Sequence, residues 1–222
     1  MTLGGRGRSR GRRALVPGAV VGGLGLAFLH CLRRRQALSR RNEVLEALSQ
    51  IDDLTGMYNR RHLEEHLADA LASARRHGHA LSILFIDIDG FKRVNDELGH
   101  QVGDSVLRIV GQRIPRALRR EDVVGRWGGE EFLAVLPMTP ISGALALAER
   151  LRSDIEKTPM QAGGRTVEVT VSIGCAESDE SDVEALMHEA DVALYQAKQG
   201  GRNRVAAFDD QGGGASSSCS TV

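Results

Sequence analysis

Cysteine is scarce in this chain: three among 222 residues, at positions 31, 175 and 219, with no CxxC pair. Such spacing excludes a structural zinc ribbon and a disulfide scaffold, and it points to a reducing compartment. Acidic residues are missing from the first forty-one positions, where arginine is abundant; Lys+Arg and Asp+Glu balance at 29 each, so the rest of the chain is net acidic. A basic arm of this kind suits nucleic acid or an anionic membrane face. Aromatic residues make up only 4% of the chain and none interleaves the arginine clusters, which argues against nucleic acid because bases would have no stacking platform. A clean apolar run of bilayer length is missing as well. Residues 14–32 carry no formal charge and approach that length, but Pro17, Gly18, Gly22, Gly23, Gly25 and His30 dilute them and arginines flank both ends. A membrane anchor and an apolar leader both stay open for this segment. A cleaved signal peptide has the right form, but it would strand a cytosolic domain outside.

What is present is an ordinary globular balance, 41% hydrophobic and 26% charged, with room for one good core plus appendages. Residues 1–13 are Gly/Arg-rich and predict a disordered basic arm. Residues 33–50 predict a charged helix, with Leu38, Val44, Leu45 and Leu48 near heptad spacing, suited to a stalk that pairs two chains or to a plain amphipathic lead-in. A turn-rich break from Ile51 opens the globular domain, residues 51–207, and the Gly/Ser-rich residues 208–222 predict a disordered tail. The helix expected from Arg60 to about Arg76 contains His62, Glu65 and His66 in an H-x-x-E-H pattern that some metallopeptidases use. Leu63, Leu67 and Leu71 form an apolar stripe in the same helix, so polar residues between them are expected without a metal.

Two stretches carry chemistry. The run from Ala80 to Ile88 reads as a buried strand that delivers Asp87 and Asp89 at its end. Carboxylates at such a place are costly unless a partner satisfies them, and a hard divalent cation is the usual one. Lys92 and Asn95 follow at once, one able to meet a phosphate and the other able to donate and accept as a base edge requires. Gly128-Gly129-Glu130-Glu131 reads as the turn of a hairpin between β-prone runs. Its glycines would let backbone approach a phosphate, and its adjacent carboxylates repel unless a cation or solvent relieves them. Asp104, near the start of a helix with apolar positions Val106, Leu107, Val110 and Ile114, suits a cap or a guanine reader, since one carboxylate can accept from both N–H groups of that base.

Six motifs in order resemble the signature of the GGDEF-domain diguanylate cyclases: Asp52-x-Leu54-Thr55-Gly56 with Asn59-Arg60-Arg61; Asp87-Ile88-Asp89-Gly90-Phe91-Lys92 with Asn95-Asp96; Gly99-His100 with Gly103-Asp104; Arg126-Trp127-Gly128-Gly129-Glu130-Glu131-Phe132; Ser172-Ile173-Gly174; and Ala190-Asp191 through Lys198 to Gly201-Arg202-Asn203. The resemblance implies an α+β fold of the nucleotidyl-cyclase type with a ferredoxin-like core, a mainly antiparallel sheet flanked by helices. Independent strand expectations near 81–87, 122–127, 131–137, 166–176 and 203–208 agree with it. It also implies condensation of two GTP into cyclic di-GMP with release of two pyrophosphates, at the interface of a homodimer in which each chain holds one GTP.

On this resemblance Asp87, Glu131 and the carbonyl of Ile88 would hold Mg²⁺ or Mn²⁺. Glu130 would help activate the 3′-hydroxyl or hold a second metal, and Gly128 and Gly129 would leave room for the α/β-phosphates. Lys92, Lys198 and Arg202, with Phe91 beside them in the motif, would line the outer phosphates; for Lys198 and Arg202 a helix-end cation pair is the plainer reading. Asn95 and Asp104 would read guanine. Arg119 and Asp122, three apart before the hairpin, match the offset of an RxxD product-binding inhibitory site, with Arg150 as its secondary arginine; as a bare pair they read as a surface ion pair. Met57, where leucine is usual, is an apolar swap, and none of the residues carried over is replaced. The implied location is a cytoplasmic catalytic domain, attached to the inner face of the bacterial plasma membrane if residues 14–32 insert. The alternative reading is a GTP- or cyclic di-GMP-binding signalling module without turnover.

Overall fold

The computed structural model describes residues 49–179 and 182–209. The expectations for residues 1–13, for 14–32, for nearly all of 33–50 and for the tail beyond 209 lie outside the described residues. Among the described residues no helix is long and apolar enough to cross a membrane.

Helix α1 (Arg60–His77) starts where sequence predicts, because the Asn59 side chain accepts from the His62 N–H at 3.1 Å, and it ends at Gly78 in the left-handed region. Its stripe of Leu63, Leu67 and Leu71 is buried. Strand β1 (Leu81–Ile88) follows and is buried along its whole length. Then come α2 (Phe91–Leu98), α3 (His100–Ala117), the hairpin β2 (Val123–Gly128) and β3 (Glu131–Pro137), and α4 (Ile141–Lys157). A small ribbon, β4 (Met160–Ala162) and β5 (Arg165–Val167), precedes β6 (Val171–Glu177), α5 (Val183–Gln199) and β7 (Val205–Ala207).

The main sheet runs β2-β3-β1-β6-β7, antiparallel except for the parallel β6–β7 pair. Because side chains alternate along β1, its two faces build two cores. Leu84, Ile86 and Ile88 join a cluster with residues of α2, α3 and α4, whereas Leu81, Ile83 and Phe85 join one with α1 and α5. The result is a three-layer α+β domain, and the parity that buries Phe85 against α1 and α5 also aims Asp87 to that side. Cys175 lies in the core, where burial pushes its thiol up to about 12 and makes it inert.

One strand expectation needs correction. The run at 166–176 is not one strand: β5 ends at Val167, β6 begins at Val171, and β5 pairs only with β4. Gly163 and Gly164, at φ 57° and 77°, make the ribbon's turn. Thr170 extends the β1–β6 pairing by one position, its carbonyl accepting from the Asp89 N–H at 2.9 Å and its hydroxyl donating to the carboxylate at 2.7 Å.

Candidate active site

The end of β1 and the β2–β3 turn meet at one sheet edge. Register places Asp87 opposite Glu131 on β3 and opposite Ser172 on β6, and directly opposed side chains stand about 5 Å apart at Cβ. Asp87 is only 5% exposed, and Lys198 Nζ, in the last turn of α5, meets its Oδ2 at 2.7 Å. Lys198 is thus a partner of a carboxylate here rather than an unpaired phosphate contact.

Burial pushes the Asp87 carboxyl above the usual carboxylate range, with the Asp89 charge adding and Lys198 and Arg202 opposing. Glu130 and Glu131 are raised too, first by burial and then by the charge on Asp87; Asp191 and Glu130 add to the effect at Glu131. Three acids repelling one another beside one lysine are a local excess of negative charge. The donor set is hard oxygen, which fits Mg²⁺ or Mn²⁺. Among the described residues no three His, Cys, Asp or Glu side chains form a ready cage. The H-x-x-E-H pattern of α1 is no such cage either: His62 stacks on Tyr58 at 4.0 Å between ring centroids.

Gly129 sits at φ 44°, and a Cβ at Gly128 or Gly129 would meet nothing within 4 Å. The turn therefore has open space above its backbone. Arg126 holds it from below, donating to the Gly129 carbonyl through Nε at 3.0 Å and Nη2 at 2.8 Å. The same guanidinium reaches Asp52 at 3.1 Å. Burial alone would raise the Asp52 carboxyl, but the hydroxyl and N–H of Thr55 and the charge of Arg126 outweigh it and hold it below its ordinary value. Arg60 lies over the Trp127 ring at 4.4 Å, fixing the residue before the glycines.

Asp89, expected beside Asp87 as a metal-facing acid, is occupied by the protein. Its carboxylate accepts from the hydroxyls of Thr170 and Ser172, both at 2.7 Å, and from the Asn203 N–H at 3.0 Å. Arg202 lies next to this knot, lining a groove of about 600 Å³ with Asp89 and Gly90, and its charge reaches Asp87.

The proposed base readers sit on the other side of the β1 end. Asn95 on α2 lies against α3, where a Cβ at Gly103 would fall 2.0 Å from Asn95 Oδ1 and 3.2 Å from Phe91 Cζ. Glycine there leaves room for the Asn95 amide, which lies beside the turn that carries Asp104. Asp104 does not cap α3: the capping position is Gly99, without a side-chain hydrogen bond. Phe91 is buried and Lys92 is exposed.

The profile of the family described as "Diguanylate cyclase, GGDEF domain" matches residues 49–204. This chain belongs to that family. It is 42% identical over 162 residues to the response regulator PleD of Caulobacter vibrioides (strain NA1000 / CB15N), covering 71% of this chain and 36% of PleD. With the diguanylate cyclase DosC of Escherichia coli (strain K12) it shares 42% identity over 176 residues, 77% of this chain and 38% of DosC. The chain thus spans little more than a third of the length of these curated relatives. The solved GGDEF domain of DgcB from Caulobacter crescentus, in complex with c-di-GMP, superimposes with a TM-score of 0.70 at 35% identity, covering 72% of this chain and 96% of that one.

A second candidate site lies elsewhere in this GGDEF domain. Arg119, Asp122 and Arg150 line one cavity of about 250 Å³ with Ala117, Thr139 and Leu147. Among the described residues the Arg119 guanidinium and the Asp122 carboxylate make no ion pair; Asp122 Oδ2 instead accepts from the Arg119 backbone N–H at 2.7 Å. Asp122 Oδ1 is buried without a partner, and burial pushes this carboxyl up. Arg150 is anchored through Nη2 to the Ala117 carbonyl at 2.6 Å.

Sequence reasoning named the motif residues Asp52, Arg126, Gly103 and Asn203 without giving them roles. Two of their contacts span long stretches of chain, Arg126 to Asp52 at 74 positions and the Asn203 N–H to Asp89 at 114, and no local pattern signals such pairs.

Proposed function

We propose that this chain is a diguanylate cyclase, which joins two GTP molecules into cyclic di-GMP where two copies face each other. The observation that carries the reading is the pairing of Asp87 with Glu131 across β1 and β3, under an open Gly-Gly turn and beside Lys198. Asp87, Glu131 and the Ile88 carbonyl would hold Mg²⁺ or Mn²⁺, which supplies charge neutralisation at the phosphates. Lys198, Arg202 and Lys92 would face the outer phosphates, Lys198 exchanging its Asp87 carboxylate for phosphate as partner. Asn95 and Asp104 select guanine.

In the reaction the 3′-oxygen of one nucleotide forms a bond to the α-phosphorus of the other as the bond from that phosphorus to the leaving pyrophosphate breaks. The hydroxyl proton leaves toward the Glu130 side of the turn. The second, reciprocal transfer closes the ring and releases the second pyrophosphate. Positioning and charge stabilisation supply nearly all the acceleration in such displacements. Labelled GTP and ATP offered in parallel test the reading: cyclic dinucleotide from GTP alone supports it, and equal conversion of ATP would remove Asp104 and Asn95 as base readers.

We further assign the cavity of Arg119, Asp122 and Arg150 to the product. Two arginines can fork onto guanine edges and phosphates, and the unpartnered Asp122 oxygen awaits an N–H donor. The DgcB domain, solved with c-di-GMP, supports a product site in this fold. Arg119→Ala is expected to raise the half-inhibiting product concentration by about 10- to 100-fold, the scale of one lost charge-assisted contact. Progress curves with added product read this directly, and unchanged inhibition would remove the site.

A further inference from the structure

Arg202 and Asn203 are consecutive non-glycine residues at φ 62° and 48°, both in the left-handed region that side chains other than glycine seldom occupy. Such a turn persists only where its surroundings hold it. Within the turn the Arg202 N–H donates to the Ala197 carbonyl at 3.1 Å and the Arg202 carbonyl accepts from Arg204 Nε at 3.3 Å, while Asn203 makes the contacts to other elements. Its backbone N–H donates to Asp89 Oδ2 at 3.0 Å, its Oδ1 accepts from Arg152 Nη1 at 2.6 Å, and its Nδ2 donates to Glu156 Oε1 at 2.7 Å. Both ends of the amide are addressed by groups of fixed polarity, so its orientation is determined. Arg152 is fixed in turn by Glu149 and Glu156 at 2.6 and 2.8 Å and is only 13% exposed.

We infer that Asn203 is a positioning residue for Arg202: by bridging α4 to the end of β1 it holds the α5–β7 turn in the one backbone geometry that presents the Arg202 guanidinium to the phosphate side of the site. The inference rests on the cyclase reading for the identity of the anion. Arg202 itself makes no hydrogen bond through its guanidinium among the described residues, and it lines the groove beside Asp89 and Gly90. Its reach is therefore set by its backbone, which the Ala197 carbonyl ties to the end of α5 and Asn203 ties to α4 and β1. Helix α4 also carries Arg150, so the bridge starts two residues from the second cavity.

The test is binding of a non-hydrolysable GTP analogue to the full chain by calorimetry, with a melting curve for each variant. Asn203→Asp tolerates the left-handed backbone but sets a carboxylate against Glu156. It is expected to weaken binding about tenfold with little change in melting temperature. Asn203→Asp combined with Glu156→Gln keeps the net charge, leaves Arg152 donating to position 203 and restores the contact with position 156 with donor and acceptor exchanged, and is expected to recover most of the loss. In an Arg202→Ala background the Asn203→Asp change should cost nothing further, because its effect runs through Arg202. Absence of rescue by the double variant, or a full additional loss in the Arg202→Ala background, would overturn the inference. Parent protein that binds no analogue would overturn the cyclase reading and this inference with it, whereas tight binding by both parent and Asn203→Asp would sink this inference alone.

Discussion

Replacing Glu131 with glutamine is expected to abolish turnover and, in the same protein, to raise its melting temperature. Glu131 stands opposite Asp87 across the β1–β3 ladder, and burial, Asp87, Asp191 and Glu130 all disfavour its charged form. A glutamine keeps the shape and removes the repulsion. Its folded pKa lies above the unfolded one, so the charged carboxylate is a liability fully present above the folded value, which fades as pH falls through the unfolded value. The stability gain should therefore be largest at neutral pH, on the order of a few degrees, and shrink as pH approaches about 4. Melting curves in chelator separate this from metal loading. Turnover should drop on the order of a thousandfold or more, as when charge stabilisation is removed at a reacting phosphate. A variant that melts lower than the parent at neutral pH, or that still turns over, contradicts the placement of Glu131.

The largest effect on the fold should come from Gly174→Ala. Gly174 lies on β6 beneath α5, where a Cβ would fall 2.2 Å from the Ala190 carbonyl oxygen and 2.3 Å from the Leu194 nitrogen. Both are backbone atoms of one helix, so no side-chain rotation relieves the clash and the helix itself must lift. Overpacking of well-packed cores costs about 1–3 kcal/mol and occasionally more, and a clash with rigid backbone belongs at or above the upper end. Against a total stability of roughly 5–15 kcal/mol, the expected result is a domain that melts at least about 10 °C lower or does not accumulate in soluble form. Lifting α5 would also carry Lys198 away from Asp87. A normal melting curve for Gly174→Ala would contradict the close approach of β6 and α5.

How far the sequence reveals such features depends on whether the signal is local. The apolar stripe of α1 and the capping Asn59 are local, and both ends of that helix come out within a residue of expectation. The β1 run and the Gly-Gly hairpin are local as well, and alternation in the paired strands accounts for Asp87 meeting Glu131. The break at Val167–Val171 was hidden because Val167, Val169, Val171 and Ile173 continue one β-prone pattern, while the two ends of that run pair with different partners, Val167 with Met160 on β4 and Val171 with Ile88 on β1. Asp87 and Asp89 look equivalent in sequence. They differ because Ser172, Thr170 and Asn203 converge on one and Lys198 on the other. The residues proposed for product binding come from resemblance alone, since spacing reads Arg119 and Asp122 as an ion pair, whereas among the described residues Asp122 accepts from the Arg119 backbone N–H.

The measurement that bears most directly on the central claim is the rate of cyclic di-GMP formation from GTP, with Mg²⁺ or Mn²⁺, as a function of the concentration of the full chain. One domain offering Asp87, Glu131, Lys198 and Arg202 to one GTP cannot complete the double transfer alone, so the rate should rise more steeply than in proportion to protein at low concentration. Product identified as cyclic di-GMP with that dependence is the predicted result. Saturable GTP binding with no product at any concentration would contradict it and leave a nucleotide-binding module in place of an enzyme.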